Sequence, residues 1–225
     1  MKKSVVISLG GSVISGDPVN TELLEEYSRI LEQIDVDSIG VVAGGGSIAR
    51  SYIRILREYG VSEFYLDNVG ILSTRINAYA VSSILKDSSP IVPTSFEEAI
   101  SLLNDHRIVV MGGVLPGFTT DAVSALFAES IGSKILVNAT AVDGVYDVDP
   151  NTHPNASKIA RLTYDEAIKL SFRVGQKAGS NVFMDGVSLG IARRSHIRVF
   201  VIDGRSPEQI RNIVERGECS GTIIE

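Results

Sequence analysis

Arg107–Ser130, RIVVMGGVLPGFTTDAVSALFAES, holds a strand, a glycine break and a helix start within one stretch. Ile108, Val109, Val110 and Met111 form a short apolar run of the kind that reads as a buried strand. Gly112 and Gly113 end it, and Pro116-Gly117 marks a turn. Thr119, Thr120 and Asp121 then stand where a helix begins, and Ala122, Ala125, Leu126 and Glu129 continue it. Hydroxyls and a carboxylate at such a point cap the first free N–H groups. With a ligand above the loop, the same N–H groups and the helix dipole face the ligand instead.

Working outward, two further strands end in glycines. Ser4–Leu9 runs into Gly10-Gly11-Ser12, a loop whose backbone can approach a phosphate closely. No Lys-Ser/Thr follows at Walker A spacing. The strand Ile39–Ala43 ends in Gly44-Gly45-Gly46-Ser47, too costly in chain flexibility for a mere turn, so a phosphate or sugar site is expected there. The following helix is expected to turn Ile48, Tyr52, Ile53, Leu56 and Tyr59 inward, to place Arg50 one turn in, and to end at Gly60. Asn20 or Thr21 starts a helix to about Ile34, and Asp67 reads either as the cap of a helix reaching Lys86 or as an acceptor for ribose hydroxyls.

Farther along, Ile135–Asn138 reads as a strand, Met184–Ser195 as a helix, Val199–Ile202 and Thr222–Ile224 as strands. Asp143-Gly144 marks a tight turn, and Tyr146 reads as an exposed ring able to lie along a base or ribose. Capping boxes are expected at Ser95–Glu98, Thr163–Glu166 and Ser206–Gln209. Strands alternating with helices indicate an α/β fold, a mostly parallel sheet covered on both faces.

Composition narrows the function. The 225 residues suit one large domain. A net charge of −6 without a dense Lys/Arg stripe argues against a nucleic-acid surface. The single cysteine, Cys219, excludes an internal disulfide framework and suits a reducing cytoplasm. Apolar runs are too short to span a bilayer, and Met1-Lys2-Lys3 leads straight into a strand, so no membrane partner is expected. His106, His153 and His196 are isolated, which speaks against zinc; the aspartates at 143, 147 and 149 lack EF-hand spacing. No G-x-S-x-G motif is present.

Four segments in this order, LGGSV (9–13), VVAGGGSIAR (41–50), LPGFTTDA (115–122) and NATAVDGVYDVDP (138–150), resemble the amino acid kinase family and, within it, the archaeal-type uridylate (UMP) kinases. The resemblance spans essentially the whole chain. It implies a three-layer α/β/α sandwich, with residues 1–132 binding the acceptor and 133–225 binding ATP. It further implies reversible transfer of the ATP γ-phosphoryl group to UMP, giving UDP and ADP with magnesium (Mg2+), and a cytoplasmic homohexamer. Carried over by motif, Gly10 and Gly11 face the ATP phosphates, with Gly46 and Arg50 also on the ATP side. Gly45, Asp67 and the loop Val114, Leu115, Pro116, Gly117, Phe118, Thr119 and Thr120 would hold UMP. Thr140, Tyr146 and Asp149 would hold the adenosine part. Asp121 resembles the aspartate that organises the catalytic centre, read as an orienting group for cationic partners. Ile71, Leu72, Ile76 and Tyr79 are candidates for subunit contacts.

Two departures stand out. Many members of the wider family carry a lysine two residues before the first glycine, where this chain has Ser8; Arg50, magnesium and backbone N–H groups are then the candidates for positive charge. Asp185–Gly190 (DGVSLG) departs from the more usual DxxAA pattern. Isopentenyl phosphate kinases resemble the chain too, but carry a histidine in the second glycine loop, where Ser47, Ile48 and Ala49 stand. Acetylglutamate-type kinases should lack the LPGFTTD loop. A non-catalytic nucleotide- or oxyanion-binding protein on the same scaffold is the remaining alternative.

Overall fold

In the computed structural model, residues 3–14, 19–148, 150, 152–153, 155–175 and 183–225 are described. The elements run β1 (Ser4–Leu9), α1 (Gly11–Ile14), α2 (Thr21–Gln33), β2 (Ser38–Ala43), α3 (Gly46–Glu58), α4 (Glu63–Ile84), α5 (Phe96–Leu102), β3 (Ile108–Met111), α6 (Thr120–Ser130) and β4 (Ile135–Thr140). They continue with β5 (Val145–Tyr146), β6 (Lys158–Ile159), β7 (Arg161–Leu162), α7 (Tyr164–Gly175), α8 (Gly186–Arg194), β8 (Arg198–Asp203), α9 (Gln209–Arg216) and β9 (Thr222–Ile224).

Seven strands make one sheet in the order β3-β2-β1-β4-β8-β9-β7. All neighbours are parallel except β8 and β9. β5 and β6 form a separate antiparallel ribbon. The central strands read as unbroken apolar runs because both faces are covered. Alternation assigns the faces: Val5, Ile7 and Leu9 of β1 pack with α2 and α9, whereas Val6 packs with α6 and α8. The sandwich is therefore α/β/α, as expected.

From β1 the chain winds to β2 and β3 on one side; from β4 it winds to β8 on the other. The β1–β4 seam is thus the switch point of an open sheet, where loops diverge and leave a crevice beyond the strand ends.

Several local expectations need correction. Tyr52 and Tyr59 are 59% and 82% exposed. α3 lies on α4 rather than on the sheet and buries only Gly46 and Ala49, so its inward face is far narrower than its apolar spacing suggested. α4 starts at Glu63, which leaves Asp67 one turn inside the helix and rules out its reading as a cap. The capping box at Thr163 forms, with Thr163 and Glu166 exchanging bonds; at Ser95 only half forms, because the Ser95 Oγ accepts from Glu98 N while the Glu98 carboxylate accepts from Thr94 N and Oγ1 instead. The third does not form. Glu208 precedes α9 without a side-chain cap, because the Gln209 carboxamide oxygen accepts from Ser220 N and Oγ instead.

Candidate active site

The site begins with two backbones pressed together. A Cβ on Gly11 would lie 2.0 Å from Gly46 N, and one on Gly44 would lie 2.4 Å from Gly11 N. Only glycines permit that approach, and Gly46 also has φ +61°. Gly10 N–H donates to the Ala139 carbonyl at 2.8 Å, and Gly44 N–H to the Leu9 carbonyl at 2.9 Å. The first glycine loop is thereby tied to β4 on one side and to the second glycine loop on the other. α3 starts at this junction, so the positive end of its dipole lies there.

Beside the junction opens a cleft of about 290 Å³. Of the residues expected to hold UMP, Gly45, Asp67, Leu115, Phe118, Thr119 and Thr120 line it. Gly46 and Arg50, expected on the ATP side, line the same cleft. Val114 packs instead against the core under α6. Pro116 and Gly117 complete the loop outside the cleft wall; Gly117 has φ +84° and its N–H donates to Asp67 Oδ2 at 2.7 Å. Arg50 is exposed and pairs with no carboxylate among the described residues.

The cleft's far wall is α4, whose inner face carries the polar side chains. Thr74 Oγ1 accepts from Gly113 N at 2.7 Å, and Asn77 Nδ2 donates to the Gly44 carbonyl at 2.7 Å. Both side chains are buried. The sequence signal was two polar residues at core-facing spacing with Ala78 and Val81, although helices tolerate such residues for many reasons.

Under the loop, Thr119 caps α6 by accepting from Ala122 N and donates to Asp185 Oδ2. Asp185 in turn caps α8 through Val187 N and Ser188 N. Asp121, in the first turn of α6, receives the Ser8 hydroxyl at 3.0 Å. No cationic side chain among the described residues contacts it. Burial pushes its carboxyl up to about 7; the Ser8 hydroxyl pulls the other way, and the nearby Asp185 carboxylate adds to the rise.

Ser8 and Asn138 are register partners on β1 and β4, and both side chains are buried. The Asn138 amide donates to the Phe183 carbonyl at 2.6 Å, fixing the approach to Asp185. Ser8, Asn138 and Asp185 went unassigned at the residue level. The first two were visible as polar breaks in apolar strands, a signal that does not by itself separate structure from chemistry.

Across the seam, Thr140 ends β4 and its carbonyl accepts from Gly204 N at 2.7 Å. Tyr146 is half-buried rather than exposed, because its hydroxyl donates to Asp143 Oδ1 at 2.7 Å while Lys158 Nζ reaches Asp143 Oδ2 at 3.0 Å. These donors, that of Tyr146 first, hold the Asp143 carboxyl below its ordinary value. Asp149 lies outside the described residues.

The chain is similar to a uridylate kinase of Thermoplasma volcanium, 48% identical over 225 residues that cover 100% of this chain and 99% of that protein. It is similar in structure to a uridylate kinase of Archaeoglobus fulgidus, with a TM-score of 0.85, 41% identity and full coverage of both chains. A UMP kinase of Bacillus anthracis superposes with a TM-score of 0.80 at 27% identity, over 100% of this chain and 96% of that one. Residues 3–203 match the amino acid kinase family. With the glycine junction, the switch-point crevice and the full-length relatives in agreement, this chain belongs to the amino acid kinase family.

Proposed function

We propose that the protein is a uridylate kinase that transfers the γ-phosphoryl group of ATP to UMP. The observation that carries this is the cleft itself: the LPGFTTD loop, Asp67 and the second glycine loop meet in one cavity against the first glycine loop. Full-length relatives that are uridylate kinases support the acceptor.

Phosphoryl transfer asks little covalent chemistry of a protein and much positioning and charge neutralisation. In this reading UMP lies along Gly45, Asp67 and residues 114–120, while Gly10 and Gly11 offer backbone to the ATP phosphates. Residues 1–132 supply the acceptor lobe and 133–225 the ATP lobe, sharing one sheet across the seam. Gly46 and Arg50 sit between the two phosphate groups, where a guanidinium neutralises charge for both. Asp67 uses Oδ2 on Gly117; Oδ1, without a bond within the described residues, accepts a ribose hydroxyl. Thr140, Tyr146 and Asp149 are assigned to the adenosine side.

Asp121 has a hydroxyl contact to Ser8 in place of a fixed ion pair, so positive charge that arrives with the substrates favours its ionised form. Among the described residues no three His, Cys, Asp or Glu side chains form a cage, but Asp121 and Asp185 are near enough for their charges to interact. Magnesium is commonly held by one or two carboxylates plus substrate phosphates. Those two aspartates would hold it, and when bound it would neutralise the phosphates.

Assembly belongs to the same reading. Leu72, Ile76 and Tyr79 of α4 are more than half exposed, as is Tyr52 of α3, while Ile71 instead lines the cleft. An apolar face of this kind is a surface for a second copy, and we assign it to dimers that build a cytoplasmic homohexamer. Light scattering that returned a particle of monomer mass would contradict this.

The test of function is a coupled ADP-release assay with UMP, CMP, deoxy-UMP and isopentenyl phosphate as acceptors. UMP is expected to give the highest kcat/KM, with deoxy-UMP penalised because Asp67 is left unpaired. Turnover of another acceptor in preference to UMP would refute the reading, and ATP binding without turnover of any would indicate a non-catalytic protein.

A further inference from the structure

The cleft and the glycine junction are held in register by one helix. Along α4, Asp67 takes Gly117 N–H, Thr74 takes Gly113 N–H, and Asn77 gives its amide to the Gly44 carbonyl. The spacing 67–74–77 keeps all three on one face, since helix neighbours recur at three and four residues. Two of the segments so held belong to the acceptor loop, and the third to the phosphate loop. Their separation is therefore set by a rigid rod rather than by the loops themselves.

Thr74 is the pivot of this arrangement. Its Oγ1 accepts from Gly113 and donates to the Ile71 carbonyl at 2.6 Å, so both functions of the hydroxyl are used. The strand end reaches it only because Gly112 lacks a side chain: a Cβ there would lie 2.5 Å from Thr74 Oγ1 and 2.9 Å from Arg75 N. On its other side, Thr74 Cγ2 would lie 3.5 Å from a Cβ on Gly45. One side chain thus spans from the acceptor loop to the second glycine loop.

We infer that Thr74, seconded by Asn77, is a positioning residue for phosphoryl transfer, setting the offset between the bound acceptor phosphate and the glycine junction through the backbones of Gly113 and Gly44. A displacement of about 1 Å between reacting groups can cost roughly 10²-fold in rate, so a lost tether acts on kcat. This inference rests on the uridylate kinase reading for its substrate, but the geometry can be tested without turnover.

The experiment compares Thr74→Val, which keeps shape and removes the hydroxyl, with Thr74→Ser, which keeps the hydroxyl. Hydrogen exchange of peptides covering residues 112–120 in the nucleotide-free protein is measured beside steady-state kinetics and melting temperature. Thr74→Val is expected to speed exchange in that segment, lower kcat with UMP roughly 10- to 100-fold, and leave the KM for ATP within about twofold. Thr74→Ser should restore kcat to within about threefold of the parent. Unchanged exchange and kcat in Thr74→Val would overturn the inference. So would a Val variant that fails to fold, or Val and Ser variants that lose activity together in step with melting temperature, because either shows that the hydroxyl only stabilises the fold. If the parent itself does not use UMP, the functional reading falls, and the exchange result still decides whether Thr74 holds the loop.

Discussion

The two sides of the β1–β4 seam are built by different means. On the side proposed to hold the acceptor a single helix, α4, fixes three loop backbones through Asp67, Thr74 and Asn77, and six of the nine residues expected to hold UMP line one cleft. On the side assigned above to ATP the anchors are dispersed: Thr140 binds Gly204 through the backbone, Asn138 holds Phe183, and Tyr146 and Lys158 share Asp143. A site referenced to one rigid element should be strict about its ligand's position, whereas one assembled from several short contacts can tolerate the loss of any one. Acceptor-side and junction substitutions should therefore cost more than donor-side ones.

The largest effect is expected at the junction, where the two sides meet. Gly11→Ala must push its Cβ into Gly46 backbone, a neighbour that cannot rotate away. Activity should fall by at least about 10²-fold, with a lowered melting temperature; a variant of near-parental kcat would show that the two loops do not need to interlock. Asp121→Asn comes next. Asparagine keeps the size and can still accept from Ser8, so folding should hold while kcat drops on the order of 10²–10³ and both KM values stay within a few-fold. A loss confined to KM would remove Asp121 from the transfer step.

A smaller effect is expected from Asp67→Asn. Losing a charged acceptor costs roughly 1.5–3 kcal/mol per hydrogen bond, so the KM for UMP should rise tenfold or more and the preference over deoxy-UMP should shrink. An unchanged preference would mean that Asp67 serves only Gly117. By the same comparison, Tyr146→Phe should change the KM for ATP by no more than about threefold, since Lys158 still binds Asp143; a large loss would make the donor side as strict as the other.

The smallest effect is in stability. The Asp121 carboxyl is raised by burial from 3.8 to about 7, so the folded protein holds its proton to higher pH than the unfolded chain does. Stability contributed at this position is therefore present at low pH and lost as pH rises toward and through 7. In chelator and without nucleotide, Asp121→Asn should melt above the parent at pH 8, the gap closing as pH falls toward 4. A gap of opposite sign would show that the carboxylate is already stabilised by positive charge in the free protein.

These contrasts also explain what could be read from the chain in advance. β1, β2, β3, β4 and β8 were legible because strands buried on both faces are continuous apolar runs, and the glycine loops because no other residue permits their backbone approach. α3 was misread because Tyr52 and Tyr59 carry the spacing of a buried face yet stand outside; periodicity reports an apolar face, not what covers it. Gln209 was misread because the capping pattern cannot show that Ser220, eleven residues on, competes for its carboxamide. Thr74, Asn77 and Ser8 gain meaning only from Gly113, Gly44 and Asp121, distant in sequence and adjacent in the fold.

The central claim is that the cleft beside the glycine junction receives the phosphoryl group from ATP onto UMP. The most direct measurement is to incubate the protein with γ-labelled ATP, magnesium and UMP and separate the products by chromatography. The account predicts label in the β-phosphate of UDP, matched mole for mole by ADP. Label appearing as inorganic phosphate, or remaining in ATP while a different acceptor becomes labelled, would contradict it.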